Sequence, residues 1–238
     1  MKRLCDLKVK IFGDGADKAA MLELHAKPHI HGFTTNPSLM RKAGIRDYEA
    51  FARDLLEAIP DRPISFEVFA DEAREMERQA RRIAAWGANV FVKIPITNTR
   101  GEPAIPLLRH LTSDGLQLNV TAMMPLHQVC AAAEAMSGGA TSYISVFAGR
   151  IADTGVDPVP LMAKAVEILA PHANLQLIWA SPRELLNIFQ ADAIGCHVIT
   201  VTGDVLKKLE LVGKNLDVYS LETVRMFYDD ARASGFEL

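Results

Sequence analysis

One lysine lies inside a strongly apolar segment of this sequence. Residues 90–95 read Val-Phe-Val-Lys-Ile-Pro, which is typical of a buried strand with Lys93 in it. Taking an ammonium group out of water is costly, and a lysine that loses its proton becomes a nucleophile that forms imines with carbonyl compounds. Lys93 is therefore the leading candidate for chemistry. The structural alternative is a lysine at a strand end whose charge reaches solvent or a carboxylate.

Polar side chains alternate with apolar ones in the neighbouring predicted strands. Glu67 lies between Phe66 and Val68, and Asn119 lies between Leu118 and Val120. Successive side chains of a strand point to opposite faces, so we expect the apolar faces to pack under helices and the polar faces to meet inside a barrel. A hydrogen-bonded polar plug without activity is the alternative. The polar faces carry Glu67, Lys93, Asn119, Thr121, Ser145 and Phe147, and the first and seventh strands add Asp14 and Ser181.

An amine and two carboxylates at the carboxyl ends of barrel strands are suited to carbon–carbon bond cleavage. A protonated imine on Lys93 accepts the electrons of the broken bond as an enamine, and this step needs no metal. Asp14 would take the proton of the hydroxyl at the cleaved bond, while Glu67 and Thr121 would handle the water that leaves and enters. Substrate hydroxyls would be held by Asn36, Asn119 and Ser145.

Two arginines follow the sixth and seventh predicted strands. Arg150 lies three residues after Phe147, and Arg183 lies two residues after Ser181. Guanidinium groups bind phosphate well, and phosphate sites of barrels often lie at the late loops. Lone surface arginines are the alternative, but their position at one rim favours a phosphate site.

The elements that would position these residues alternate between strand and helix. This alternation predicts a closed α/β (βα)8 TIM barrel, one domain over residues 1–238 with a C-terminal helical tail. An open doubly wound sheet is the alternative, but it would need a glycine-rich phosphate turn after the first strand, which Gly13-Asp14-Gly15 is not. The predicted strands are 8–12, 29–33, 64–68, 90–95, 116–121, 143–147, 175–181 and 197–201. The predicted helices are 17–26, 48–59, 71–86 with Asp71 as its cap, 105–111, 126–136, 160–169 and 183–190, with a last pair after Gly203 and Leu221.

Composition narrows the classes of partner and cofactor. The chain has 238 residues, and its 26 Lys and Arg against 29 Asp and Glu give no basic face for nucleic acid. We expect a cytoplasmic protein without a membrane partner, because the sequence contains neither a long apolar run nor a signal peptide. We predict neither a metal site nor a cofactor, because the cysteines and histidines have no ligand spacing. These are Cys5, Cys130, Cys196, His25, His29 and His31.

Six segments in this order and spacing resemble the transaldolase family, which includes fructose 6-phosphate aldolases. They are Lys-Ile-Phe-Gly-Asp at 10–14, Gly-Phe-Thr-Thr-Asn-Pro-Ser at 32–38, Val-Lys-Ile-Pro at 92–95, Leu-Asn-Val-Thr at 118–121, Ile-Ser-Val-Phe-Ala-Gly-Arg-Ile at 144–151 and Ala-Ser-Pro-Arg at 180–183. The resemblance covers nearly the whole chain. It implies that Lys93 forms the imine, that Asp14 and Glu67 are the acid–base carboxylates, and that Thr121 is the partner of the catalytic water. It also implies that the ketose hydroxyls bind to Asn36, Asn119 and Ser145, with Phe147 beside them, and that the phosphate binds to Arg150, Ser181 and Arg183.

Two positions bear on the kind of reaction. Glu67 resembles the transaldolases, where the aldolase relatives tend to have glutamine, and Phe147 stands where those relatives tend to have tyrosine. Both favour transfer of a dihydroxyacetone unit between sugar phosphates, as in the pentose phosphate pathway, over its release. The alternatives are an aldolase that releases dihydroxyacetone and a non-catalytic sugar-phosphate binding barrel. The C-terminal helix, with Val224, Phe227 and Tyr228, would pack on the barrel or on a neighbour in a homo-oligomer.

Overall fold

The computed structural model describes residues 3–235, and within them eight parallel strands close into a barrel in the order of the chain. The predicted (βα)8 fold is confirmed. Residues 1, 2 and 236–238 of the predicted domain lie outside the described residues. The strands are β1 (Lys10–Asp14), β2 (Ile30–Thr34), β3 (Ile64–Glu67), β4 (Val90–Pro95), β5 (Leu118–Met123), β6 (Ser142–Val146), β7 (Leu175–Trp179) and β8 (Val198–Thr202).

Helices follow the strands and surround the barrel. Two short helices that the alternation does not predict, α2 (Pro37–Lys42) and α7 (Ala148–Ala152), begin just after β2 and β6 and carry part of the cavity wall described below. The helices are α1 (Lys18–His25), α2 (Pro37–Lys42), α3 (Tyr48–Ala58), α4 (Ala73–Ala84), α5 (Ile105–Ser113), α6 (Leu126–Met136), α7 (Ala148–Ala152), α8 (Pro158–Leu169), α9 (Leu186–Ala193), α10 (Gly203–Leu206) and α11 (Leu216–Ser234).

Two predictions about where elements begin are wrong because of contacts with residues that are distant in the sequence. The first strand begins at Lys10 rather than Lys8, since the Asp192 carboxylate accepts the N–H groups of Lys8 at 2.6 Å and Val9 at 3.0 Å. Asp71 does not cap α4. Its carboxylate instead accepts from the backbone N–H and the hydroxyl of Thr99, each at 2.7 Å.

Apolar residues of the strands form two separate layers. Outward-facing side chains such as Val92 and Val120 pack under the helices in the main core. Inside the barrel, Phe12, Phe91 and Tyr143 pack together, with ring centroids 5.7 Å apart for Phe12–Tyr143 and 4.4 Å for Phe91–Tyr143. This inner layer fills the barrel below Lys93, so the polar side chains above it have a closed floor.

The last helix differs from the others because none of its residues is buried. Leu216 is 79% exposed and Phe227 is 63% exposed. The helix starts at Leu216, earlier than the predicted start after Leu221, with the Asn215 side chain accepting from Val218 N–H at 3.1 Å. The prediction that this tail packs on the barrel is therefore wrong. The alternative, contact with a neighbouring copy, stays a prediction. Among residues 3–235 we find no helix with the length and apolarity that crossing a membrane requires.

Candidate active site

A cavity of about 750 Å³ opens at the carboxyl ends of the strands. All the residues that the sequence predicts for a site line this one cavity. They are Asp14, Asn36, Glu67, Lys93, Asn119, Thr121, Ser145, Phe147, Arg150, Ser181 and Arg183. The strand alternation explains why the members that belong to strands converge, because residues of one parity face the interior in every strand. The remaining members lie in the segments that follow the strands.

Lys93 lies in the wall of this cavity and is only 6% exposed. Its Nζ donates to the carbonyl oxygen of Thr35 at 2.8 Å and lies 3.2 Å from Oε2 of Glu67. Glu67 and Lys93 are direct partners in the register of β3 and β4, so the two side chains leave the sheet side by side. The charge of Lys93 therefore meets a carboxylate inside the cavity rather than bulk solvent. Glu67 is also the group placed to take its proton.

Asp14 ends β1 on the other side of the cavity. Burial raises the pKa of its carboxyl group, against the opposing effects of Lys93 and of a hydrogen bond from Thr34, and the Glu67 charge raises it further. The Thr34 hydroxyl donates to Oδ1 of Asp14 at 2.8 Å and also contacts the hydroxyl of Thr200. A carboxyl group with a raised pKa keeps its proton to a higher pH than an ordinary aspartic acid, and such a shift is typical of groups that transfer protons in acid–base catalysis.

A chain of hydrogen bonds fixes the amide of Asn119 beside Lys93. The Ser145 hydroxyl donates to Oδ1 of Asn119 at 2.7 Å, and Nδ2 of Asn119 donates to the Ser65 hydroxyl at 2.9 Å. These bonds set which end of the amide is the oxygen. Thr121 differs, because its buried hydroxyl has no hydrogen-bond partner among the described residues. That hydroxyl is available to a water molecule or a substrate group.

Asn36 lines the cavity as the N-terminal cap of α2. Its Oδ1 accepts the N–H of Leu39 at 3.0 Å, and Pro37 occupies the first position of the helix. The amide nitrogen is the part of the side chain that the cap does not use. A hydrogen-bond donor is therefore held in the cavity wall by the start of the helix.

The two arginines lie on adjoining segments at the cavity rim. Arg150 belongs to α7, where its guanidinium carbon lies 5.5 Å from the centroid of the Phe147 ring. Arg183 follows β7 and is held by Asp153, which accepts from its Nε at 2.9 Å and also from its Nη2. Asp153 lies outside the residues that line the cavity, so it holds Arg183 from behind.

Gly149 explains how these two segments come so close. A Cβ atom at this position would lie 1.6 Å from the carbonyl oxygen of Ser181. Ser181 itself has a left-handed backbone, with φ at 59°, which is uncommon outside glycine. The close contact and the turn at Ser181 together set Arg150, Ser181 and Arg183 around one region of the rim.

Sequence reasoning misses several residues of the site. Thr200 and Thr202 belong to the inward parity of β8, so the alternation rule applied to that strand would have found them. Gly149 and Asp153 have no local signal, because their contacts are made between separate loops. Among the described part of the chain, no group of three His, Cys, Asp or Glu side chains is arranged to hold a metal ion.

Both the sequence of the chain and its fold are similar to those of known proteins. The family model described as Transaldolase/Fructose-6-phosphate aldolase matches residues 11–238. A relative named "Probable transaldolase" from Methanococcus maripaludis is 34% identical over 202 residues, covering 84% of this chain and 89% of the relative. Another of that name from Thermoanaerobacter sp. is 33% identical over 231 residues, covering 97% and 100%.

Solved structures share the fold at much lower identity. The crystal structure of KGPDC from Streptococcus mutans has a TM-score of 0.56 and 11% sequence identity, covering 82% of this chain and 87% of that one. A likeness at that identity reflects the barrel architecture alone.

Proposed function

Because the chain belongs to the transaldolase/fructose-6-phosphate aldolase family, we propose that it is a transaldolase that works through an imine on Lys93. It would take a dihydroxyacetone unit from a ketose phosphate, such as fructose 6-phosphate or sedoheptulose 7-phosphate. It would add that unit to an aldose phosphate, such as erythrose 4-phosphate. The observation that carries the proposal is the position of Lys93, buried in the cavity wall with Glu67 at 3.2 Å.

Imine formation is the first part of the proposed reaction. The Lys93 ammonium gives a proton to Glu67, and the free amine attacks the ketose carbonyl carbon to form a carbinolamine. Glu67 returns the proton to the carbinolamine hydroxyl, which leaves as water and gives the protonated imine. The Thr121 hydroxyl has no hydrogen-bond partner within residues 3–235, which supports a role in holding that water.

Bond cleavage and transfer use Asp14. Its carboxylate takes the proton of the hydroxyl on the carbon that becomes the aldehyde, and the bond between this carbon and the dihydroxyacetone unit breaks to release an aldose phosphate. The electron pair of the broken bond moves into the imine and gives an enamine on Lys93. The enamine carbon then attacks the carbonyl of the acceptor, and Asp14 returns its proton to the new hydroxyl. Hydrolysis of the new imine, through Glu67 and Thr121, releases the product and restores Lys93.

Substrate binding would divide between the interior and the rim. We assign the ketose hydroxyls to Asn36, Asn119 and Ser145, whose side chains are oriented by the hydrogen bonds described above. We assign the phosphate to Arg150, Ser181 and Arg183, which surround one region of the rim. A cavity of about 750 Å³ is large enough for a hexose phosphate.

Aldolase-type cleavage to free dihydroxyacetone is the second candidate, because the matching family model covers both activities. The two reactions differ only in the last partner of the enamine carbon. In the aldolase this carbon takes up a proton, and in the transferase it attacks the carbonyl carbon of an aldehyde. Glu67 and Phe147 favour transfer, since the aldolase relatives tend to have glutamine and tyrosine at these positions.

A product assay with and without an acceptor tests the proposal. The purified protein is incubated with fructose 6-phosphate, either alone or with erythrose 4-phosphate, and the products are separated by chromatography. We expect sedoheptulose 7-phosphate only when the acceptor is present. Substantial free dihydroxyacetone without acceptor would identify an aldolase, and no turnover in either case would indicate a binding barrel.

A further inference from the structure

The hydroxyl group of Tyr48 is bonded to both backbone polar groups of Glu67. The N–H of Glu67 donates to the tyrosine oxygen at 2.8 Å, and the hydroxyl donates to the carbonyl oxygen of Glu67 at 3.0 Å. Tyr48 is the first residue of α3, nineteen positions before Glu67 in the sequence. A side chain at the start of a helix therefore bonds to the end of the next strand.

This contact occurs beyond the end of β2, the strand that pairs with β3 up to Ser65. In a parallel sheet, the peptide groups of alternate residues point to opposite neighbouring strands. Ser65, like Glu67, points toward β2, and its carbonyl accepts the N–H of Thr35 at 3.2 Å. The chain then turns away from the sheet into α2 at Pro37. Tyr48 supplies the donor and the acceptor that β2 no longer provides for Glu67.

The other side of the same strand end is paired in the ordinary way. The N–H of Val68 donates to the carbonyl oxygen of Lys93 at 3.1 Å. Glu67 is thus held between β4, which carries Lys93, and the hydroxyl of Tyr48. The side chain between these two supports is the one that lies 3.2 Å from the Lys93 amine.

The ring of Tyr48 is itself held by three aromatic side chains. Its centroid lies 4.5 Å from that of Phe69, 5.4 Å from that of Trp86 and 6.1 Å from that of Phe66. Burial raises the pKa of the Tyr48 hydroxyl well above its usual range. The group consequently stays protonated and keeps donating to the Glu67 carbonyl at any pH at which the enzyme would work.

We propose that Tyr48 is a positioning residue for the reaction: its hydroxyl replaces the missing strand and fixes the backbone of Glu67, and so fixes the carboxylate beside Lys93. This role rests on the proposed function, since it assumes that Glu67 moves protons at the lysine adduct. Nothing in the geometry places Tyr48 at the substrate, because it is absent from the residues that line the cavity. Its effect has to pass through Glu67.

A double-mutant cycle tests this role. The variants are Tyr48→Phe, Glu67→Gln and the pair, and the rate measured is transfer from fructose 6-phosphate to erythrose 4-phosphate. We expect Tyr48→Phe to lower kcat about 10-fold, with KM changed less than about twofold, because loss of the bonds loosens a catalytic group. In the Glu67→Gln background the same change should cost less than about twofold. Equal losses in both backgrounds would overturn the positioning role.

Tyr143→Phe is the matched control. Tyr143 is a buried tyrosine whose ring packs against other aromatic side chains inside the barrel, and it has no contact with the Glu67 backbone among the described hydrogen bonds. Loss of the Tyr143 hydroxyl should change kcat by the same factor in the wild-type and the Glu67→Gln backgrounds. Phe69→Leu is a second test of the same role, because it removes a ring that packs against Tyr48. It should lower kcat in the wild-type background and have little effect on kcat in the Glu67→Gln background.

Amide hydrogen exchange tests the bonds between the Tyr48 hydroxyl and the Glu67 backbone without measuring activity. By NMR, the Glu67 amide should exchange slowly in the wild-type protein and at least about 10-fold faster in Tyr48→Phe, while the Val68 amide, bonded to β4, changes little. An unchanged exchange rate of the Glu67 amide would show that the Tyr48 hydroxyl does not fix the Glu67 backbone. A wild-type protein that forms no adduct on Lys93 would instead refute the proposed function, so the two failures are distinguishable.

Discussion

Replacing Gly149 by alanine should separate the two segments that carry the proposed phosphate site. The added Cβ would lie 1.6 Å from the carbonyl oxygen of Ser181, 2.8 Å from its carbonyl carbon and 3.2 Å from Nε of Arg183. Ordinary contact begins at about 3.4 Å, so α7 and the turn at Ser181 must part by about 1.8 Å. Backbone atoms form most of the obstruction, so no side-chain rotation can relieve it.

The displacement is large compared with the tolerance of a binding site. Displacement of the groups that position a substrate by about 1 Å can lower the reaction rate by a factor of about 100. We therefore expect the KM for fructose 6-phosphate to rise about 10- to 100-fold in Gly149→Ala, while the KM for unphosphorylated fructose changes less than about threefold. Overpacking should also lower the free energy of unfolding by about 1–3 kcal/mol.

Steady-state kinetics with both sugars and urea denaturation would measure these effects. Gly203→Ala is the matched control, because a Cβ there meets no atom within 4 Å and the glycine has no positive φ. It should leave both kinetics and stability nearly unchanged. A Gly149→Ala variant with wild-type KM for the sugar phosphate would show that the close contact of α7 and Ser181 does not set the phosphate site.

Three further substitutions test individual roles. Lys93→Met should abolish turnover while circular dichroism and thermal unfolding show an intact fold, and appreciable residual rate would exclude the imine mechanism. Arg183→Ala should weaken phosphorylated substrates about 10- to 100-fold in KM, and equal losses with unphosphorylated ones would contradict a phosphate role. Asp14→Asn should stabilise the protein, because the raised pKa of Asp14 means that its charged form opposes folding. That gain should be absent below the ordinary Asp pKa of 3.8 and grow as the pH rises toward the folded-state pKa of Asp14; urea denaturation from pH 3 to pH 8 checks this, and a gain independent of pH would refute it.

The strand alternation predicts much of the site from the sequence. Glu67, Lys93, Asn119 and Ser145 face one cavity because side-chain direction in a strand has a strict period of two, which does not depend on distant contacts. The barrel follows from the alternation of elements for a similar reason. What these patterns determine is direction and order along the chain.

Contacts between separate loops have no such period. The clash that makes Gly149 necessary depends on where the Ser181 carbonyl lies, and the support of Glu67 by Tyr48 depends on where β2 ends. The capping prediction for Asp71 is wrong for the same reason, since Thr99 offers its carboxylate two donors from another loop. Local propensity cannot anticipate a partner that the tertiary fold brings in.

Covalent trapping tests the central claim most directly. The wild-type protein is incubated with fructose 6-phosphate, reduced with borohydride and digested, and the peptides are analysed by mass spectrometry. We expect a reduced sugar adduct on the peptide that contains Lys93, and no adduct in Lys93→Met. An unmodified wild-type protein, or an adduct on another lysine, would contradict the assignment of Lys93 as the imine-forming residue.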